Sequence, residues 1–221
     1  MEGLEISVVN LSNVLVENPS FRIDGNYFQK EFLQSTIREP VITIGDTCII
    51  RSGTTPPDRE DDLLEGVILL KTTDIRGTIL TAEGSDFYYL DPKIAARMGE
   101  TKIVANDVLI NIVGATTDVV GRVALVPHDF PEANITQAMA LLRVTDPNVV
   151  PAYLFAFLLS KYGNQQVRRI ARPTGQYNLN LPEVRSFKVH CATKEFQQQI
   201  KGAIDKAHAV SLSAKARAYA L

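Results

Sequence analysis

The sequence predicts an α+β fold with a mixed sheet, and three observations carry that prediction. Short β-branched runs recur through the first two thirds of the chain without the regular strand–helix alternation of a parallel α/β sheet. An apolar run with proline in its first turn, VPAYLFAFLLSKY from Val150 to Tyr162, reads as a buried helix. Residues 194–221 contain no proline, one glycine (Gly202) and many good helix formers, and read as a long terminal helix.

In chain order, residues 4–16 (LEISVVNLSNVLV) begin with a β-branched run suited to a strand, and Asn18-Pro19-Ser20 marks a turn. Asp24 is placed to cap a helix running through Tyr27, Phe28, Phe32 and Leu33 to about Ile37, which Pro40 ends. Val41–Ile44 and Thr47–Ile50 read as strands around a Gly45-Asp46 turn signal. After the loop Arg51–Pro57 and an acidic run from Asp58 to Glu65, strands are expected over 66–70, 78–81, 107–113, 122–126 and 138–144. Pro92 to Met98 suits a short helix, and GATTDVVG (Gly114 to Gly121) is a glycine-bounded connector. Beyond the apolar helix, Gln165 to Arg172 is basic, Thr174 to Asn180 is a polar loop, and Val184 to Val189 suits a final strand.

The terminal helix carries apolar residues at Phe196, Ile200, Ala203, Ala207, Val210, Ala214 and Leu221, mostly alternating four and three apart. That spacing makes a narrow seam of the kind that pairs with another helix, a coiled-coil pattern, and Ile204 and Leu212 widen it. Thr193 is placed to act as the N-cap of the helix. The helix either folds back on its own domain or meets a partner helix. Its many alanines bury little area each, which favours the partner. The expected division is an α+β domain over residues 1–190 and a helix that pairs with a partner over 191–221.

Length and a 45% apolar composition describe an ordinary globular chain with ample core. Cys48 and Cys191 lack partners at metal spacing and suggest free thiols in a reducing compartment. The start MEGLEISVVN is no signal peptide, and no stretch approaches the ~18 uninterrupted apolar residues of a membrane span, so a cytoplasmic location is expected. Net charge is −2, but it is unevenly spread: residues 161–221 hold 11 basic and 3 acidic side chains, leaving 12 and 22 for the rest. Such asymmetry fits a face that meets an anionic polymer, and fits equally a solvated basic helix beside an acidic domain.

The order of motifs is more informative than any one of them. A Gly53–Pro56 loop of Gly-Thr-Pro type precedes a strand and Lys71-Thr72-Thr73-Asp74-Ile75. Asn106-Asp107-Val108-Leu109-Ile110, glycines 114 and 121, and Asn134-Ile135-Thr136-Gln137-Ala138 follow. Tyr153-Leu154, Phe157-Leu158-Leu159-Ser160, Gly175-Gln176 and a Glu195-Phe196-Gln197 helix complete the series, with Phe21-Arg22-Ile23-Asp24 and Tyr27-Phe28 upstream. Across nearly the whole chain this resembles the target recognition domain and spacer helix of a type I restriction-modification specificity subunit. The resemblance implies a non-catalytic protein that selects a DNA sequence for others. Members of that family have two recognition domains joined by two long antiparallel helices, and bind adenine methyltransferase subunits, which carry S-adenosylmethionine, and a motor-nuclease subunit. This chain departs from them in having one recognition domain and one such helix, which implies a homodimer or the missing remainder of a longer chain.

On that reading the partner is double-stranded DNA. Phosphate contacts need Lys, Arg or amide groups, whereas base readout needs planar bidentate groups. Arg168, Arg169 and Arg172, followed by Gln176, Asn178 and Asn180, put both kinds in one polar stretch, and Lys71 and Arg76 flank a strand end. Thr54 and Thr55 suit an ordinary turn, and Arg122 suits an ion pair with a neighbouring carboxylate. Histidines 128, 190 and 208 are scattered away from cysteine or carboxylate at metal spacing, and no phosphate loop, nucleophile elbow or cofactor loop is present. Neither a metal nor a cofactor is expected. Two other readings remain open: a protein-interaction module without nucleic acid, and a metal-dependent nuclease built on Asp58, Glu100 and Lys102.

Overall fold

The computed structural model describes residues 6–16, 18, 20–34, 37–58, 63–76, 79–82, 86–173 and 175–219. The chain opens with two short helices, α1 (Leu11–Val16) and α2 (Lys30–Leu33), then β1 (Val41–Thr43), the single helical turn α3 (Ile44–Thr47) and β2 (Cys48–Ser52). Next come β3 (Val67–Leu70), β4 (Tyr88–Leu90), α4 (Pro92–Ala96), β5 (Val108–Asn111), β6 (Val113–Gly114), β7 (Val123–Leu125), β8 (Ala133–Ile135) and β9 (Met139–Val144). Helices α5 (Pro151–Leu159) and α6 (Lys161–Ile170), the hairpin β10 (Arg172–Pro173) and β11 (Tyr177–Asn178), α7 (Leu181–Arg185), β12 (Lys188–His190) and α8 (Lys194–Tyr219) complete it.

The architecture is the α+β, mixed-sheet class expected. A central antiparallel sheet runs β2-β9-β5-β7, and a second, β4-β3-β8, contains the parallel pair β3/β8. Side chains of the central sheet alternate between two cores. Val108, Ile110, Val123, Leu125, Ala140 and Leu142 face the core shared with α5 and α6. Leu109, Ala124, Met139 and Leu141 face the core shared with β3 and β8. A sheet buried on both faces must be apolar at every position, which is why these strands read as unbroken apolar runs.

Several local expectations are corrected. Among the described residues of the first segment there is no strand; 11–16 is helical. Asp24 does accept from the Tyr27 amide, at 3.2 Å, but the helix there is only α2. Gly45-Asp46 lies inside α3, and β1 and β2 pair with β12 and β9 rather than with each other. The basic segment is helical to Ile170, because Gly163, Val167 and Ile170 form an inward stripe. Val184 is in α7, so the last strand begins only at Lys188. The expected strand at 78–81 is a single bridge from Ile79 to Leu125; Thr78 lies outside the described residues.

Helix α8 is docked at its base and exposed along its seam. Gln197 is 2% exposed, and Ile200 and Ile204 pack against the main core. Phe196 is 49% and Val210 62% exposed, and Ala203, Ala207 and Ala214 also face outward. No helix of the described residues is long and apolar enough to cross a membrane.

Candidate nucleic-acid interface

The segments that follow β2, β3, β5 and β8 meet at one edge of the molecule, held by backbone hydrogen bonds. The Gly53 amide donates to Met139 O and the Thr54 amide to Ile135 O, each at 3.0 Å, and the Thr136 amide to Leu70 O at 3.1 Å. A Cβ on Gly53 would sit 2.1 Å from Ile135 O, so only glycine allows this approach. Asn111, fully buried, donates from Nδ2 to Thr72 O (3.0 Å) and Val119 O (3.2 Å), tying the loop after β3 to the connector 114–121. Strand β11 pairs with β6, with Tyr177 opposite Gly114, and so brings the β10–β11 hairpin to the same edge. Gly175 turns the hairpin at φ +83°, and Gly175 and Gln176 are exposed at its tip.

The expected DNA-binding side chains fall into three sets. Gln176, Asn178 and Lys71 belong to this edge, and Arg76 follows five residues beyond Lys71. Asn178 Nδ2 donates to Gln176 O at 2.9 Å, which steadies the tip. Lys71 Nζ lies 3.5 Å from the centre of the Tyr88 ring, a cation–π contact, and Arg76 is exposed. Arg168 and Arg169, on α6, reach the upstream segment instead. Arg168 pairs with Glu31 at 3.2 Å, and Arg169 donates to Tyr27 O at 3.2 Å with its guanidinium 4.4 Å from the Tyr27 ring centre. Arg172 and Asn180 form the third set, around Glu183. Asn180 caps α7 by accepting from the Glu183 amide at 2.8 Å, and Arg172 pairs with the Glu183 carboxylate at 3.1 Å.

Two features of the edge escaped the sequence reading. Gln137 is exposed at the β8–β9 turn and Thr116 in the connector, both within motifs already singled out. Arg22 also has a larger part than its motif suggested. Its Nη1 donates to the carbonyls of Arg169 (3.2 Å), Ile170 (2.8 Å) and Ala171 (3.4 Å), filling acceptors at the C-terminus of α6 where a cation is favoured. Asp24 holds the other side of this guanidinium at 2.7 Å, and that hydrogen bond draws the Asp24 carboxyl below its usual range.

The groups of the nuclease reading are dispersed. Asp58 pairs with Arg97 at 2.6 Å, Glu100 lies 3.7 Å from Arg51, and Lys102 pairs with Glu132 at 2.8 Å. Among the described residues no three or more His, Cys, Asp or Glu side chains are grouped to hold a metal.

No protein-family model and no curated protein matches the chain. Solved structures do. A chain of a type I R-M system, studied for complex assembly and conformational transition, is 16% identical over 85% of this chain and 43% of its own length, with a TM-score of 0.56. The type IIG restriction endonuclease BpuSI is 8% identical over 80% of this chain and 27% of its own, with a TM-score of 0.54. The HsdS subunit from Thermoanaerobacter tengcongensis is 14% identical over 84% and 41%, with a TM-score of 0.49. This chain spans less than half the length of each of them. This α+β chain thus shares its fold with part of a chain of a type I R-M system and with part of BpuSI.

Proposed function

We propose that the chain is a sequence-specific DNA-recognition subunit of a type I restriction-modification system, cytoplasmic and non-catalytic. In this role it directs adenine methyltransferase and motor-nuclease subunits to a bipartite target. The observation that carries the reading is the gathering of the loop after β3, the connector 114–121 and the β10–β11 hairpin on one edge, on a fold shared with a type I R-M chain. A hairpin tip with an exposed planar amide suits entry into a groove, where Gln or Asn reads adenine by two hydrogen bonds. Gln176 and Asn178 take that role, with Lys71 and Arg76 on phosphate. Arg168 and Arg169 present a basic helix face to the backbone beside them.

The domain of residues 1–190 supplies one half-site, and the helix of residues 191–221 pairs with a second copy. Two antiparallel copies of α8 satisfy a twofold axis, each offering the seam Phe196, Ile200, Ala203, Ala207, Val210 and Ala214 to the other. The chain should therefore enrich, from a pool of random duplexes, an inverted repeat with a fixed gap. Its affinity should fall steeply with salt, with a slope of about 0.9 per phosphate neutralised. Enrichment of no sequence, with salt-insensitive retention, would refute DNA reading. By sedimentation the wild type should be a dimer and the variant Ala203→Glu/Ala207→Glu a folded monomer, since the seam would have to desolvate charge. A wild type monomeric at high concentration would refute the helix pairing while leaving the domain's reading intact.

A further inference from the structure

The reading hairpin leaves α6 at Ala171 and is gripped at its base by a buried carboxylate. Glu183 has no exposure. One of its oxygens, Oε1, accepts from Arg172 Nη2 at 3.1 Å and from the Ser20 hydroxyl. The other, Oε2, accepts from the Asn180 amide at 2.7 Å. Three segments distant in sequence thus converge on one side chain: the upstream segment, the first hairpin strand and α7. Arg22 adds a second clamp on the residue before the hairpin, through Ile170 O and Ala171 O. Asn178 on β11 lies opposite Arg172 on β10, so a shift at Arg172 is passed across the ladder to the strand that carries Asn178.

We propose that Arg172 and Glu183 are a positioning pair which, steadied by Ser20, sets the base preference of the hairpin tip; this rests on the DNA-reading function proposed above. Arg172 acts through the buried carboxylate and not on a phosphate. Removing a phosphate contact weakens binding to every sequence and flattens the salt slope, whereas releasing a positioning anchor blurs discrimination and leaves the slope in place. Coupling between the two residues separates the cases, because residues acting through each other are non-additive.

The test is a double-mutant cycle on the full chain with Arg172→Ala, Glu183→Gln and both together. The duplex enriched from the random pool and a scrambled duplex are titrated across a salt series. Arg172→Ala should lower the ratio of the two affinities by about tenfold, the discrimination one good base-edge contact supplies, with the salt slope unchanged. In the Glu183→Gln background the same substitution should change the ratio less than about twofold. Ser20→Ala removes one bond to the same carboxylate without stranding a charge, and should lower the ratio severalfold; it stands in for Arg172→Ala if that variant does not fold. A slope that falls by about 0.9 on removing Arg172, in both backgrounds, would make Arg172 a phosphate contact and overturn the proposal. Unchanged discrimination in folded Arg172→Ala, or in Ser20→Ala where that stands in, would leave the pair a mere prop of the fold and overturn it equally. A wild type with no preferred duplex would remove the DNA-reading function and this inference together, whereas additive effects in a selective wild type would remove only this inference.

Discussion

Replacing Gln197 should loosen the long helix from the domain, and the structure gives the size of the effect. Gln197 Oε1 accepts from the Val150 amide at 2.8 Å, and Nε2 donates to Asn148 O at 3.0 Å and Ala192 O at 2.9 Å. Val150 is the N-cap of α5, and Pro151 behind it has no amide hydrogen. Gln197 thus supplies from α8 the acceptor that the start of α5 needs. Gln197→Leu keeps the volume but strands the buried Val150 amide, a loss of about 1–3 kcal/mol. The two carbonyls lie nearer water and add less, so a total of about 2–3 kcal/mol is expected. At about 2–4 °C per kcal/mol for a chain of this size, Tm should fall by roughly 4–12 °C. Thermal unfolding followed by far-UV circular dichroism measures it, with Gln198→Leu on the exposed neighbouring position as control. A fall no larger than that of the control would refute the capping argument.

Gly121 sits at φ +78°, and a Cβ there would lie 2.5 Å from Val167 Cγ1 on α6. Gly121→Ala should therefore lose about 1–2 kcal/mol to the backbone and a further ~1–3 kcal/mol to overpacking. Adding Val167→Ala should return only the packing part, minus its own cavity, as urea denaturation would show; full recovery would mean the backbone conformation is unimportant. Burial pushes the Cys48 thiol from 9.0 up to about 11. An acid raised on folding stays neutral in the native state while the unfolded chain ionises. Its contribution is therefore constant below pH 9, and stability falls as pH rises from about 9 to about 11. Below that window a thiol reagent should label half-buried Cys191 and reach Cys48 only on unfolding; rapid labelling of both would contradict the packing around Cys48.

What the sequence disclosed follows from where its signals come from. Strands β5, β7 and β9 were readable because both their faces are buried. In the second sheet β4 and β8 are three residues each, and β8 carries Asn134, a polar residue that donates to Met98 O and Thr101 Oγ1 in the interior. Helix α6 hid behind its polar face, although Gly163, Val167 and Ile170 keep helical spacing. Asn180 with Glu183 is a capping box with Pro182 behind it, a start signal for α7 present in the sequence but assigned there to base readout. The arginines show the limit of local reading. Their clustering was visible, but their partners Glu31, Tyr27 and Glu183 depend on how residues 20–34 fold across α6.

Helix α8 folds back on its own domain at its base and leaves an exposed apolar face beyond it. Gln197 lies one residue, about 100° round the helix, from Phe196, so the docked side and the apolar seam are adjacent and share Ile200. Gln197, Ile200 and Ile204 fix the first turns to the domain, and Phe196 meets Tyr153 edge-on at 6.4 Å where the two faces join. Beyond Ile204 the remaining 15 residues extend about 22 Å, and the Arg217–Ser213 hydrogen bond there lies within the helix itself. Because one rigid helix carries both faces, the orientation of the seam is set by the docking of the base. On the pairing proposed above, a second helix laid on that seam would inherit the orientation. Sequence periodicity assigns Ile200 and Ile204 to the seam, whereas both pack on the domain, and it is blind to the docking through Gln197, a polar residue that leaves no apolar signal.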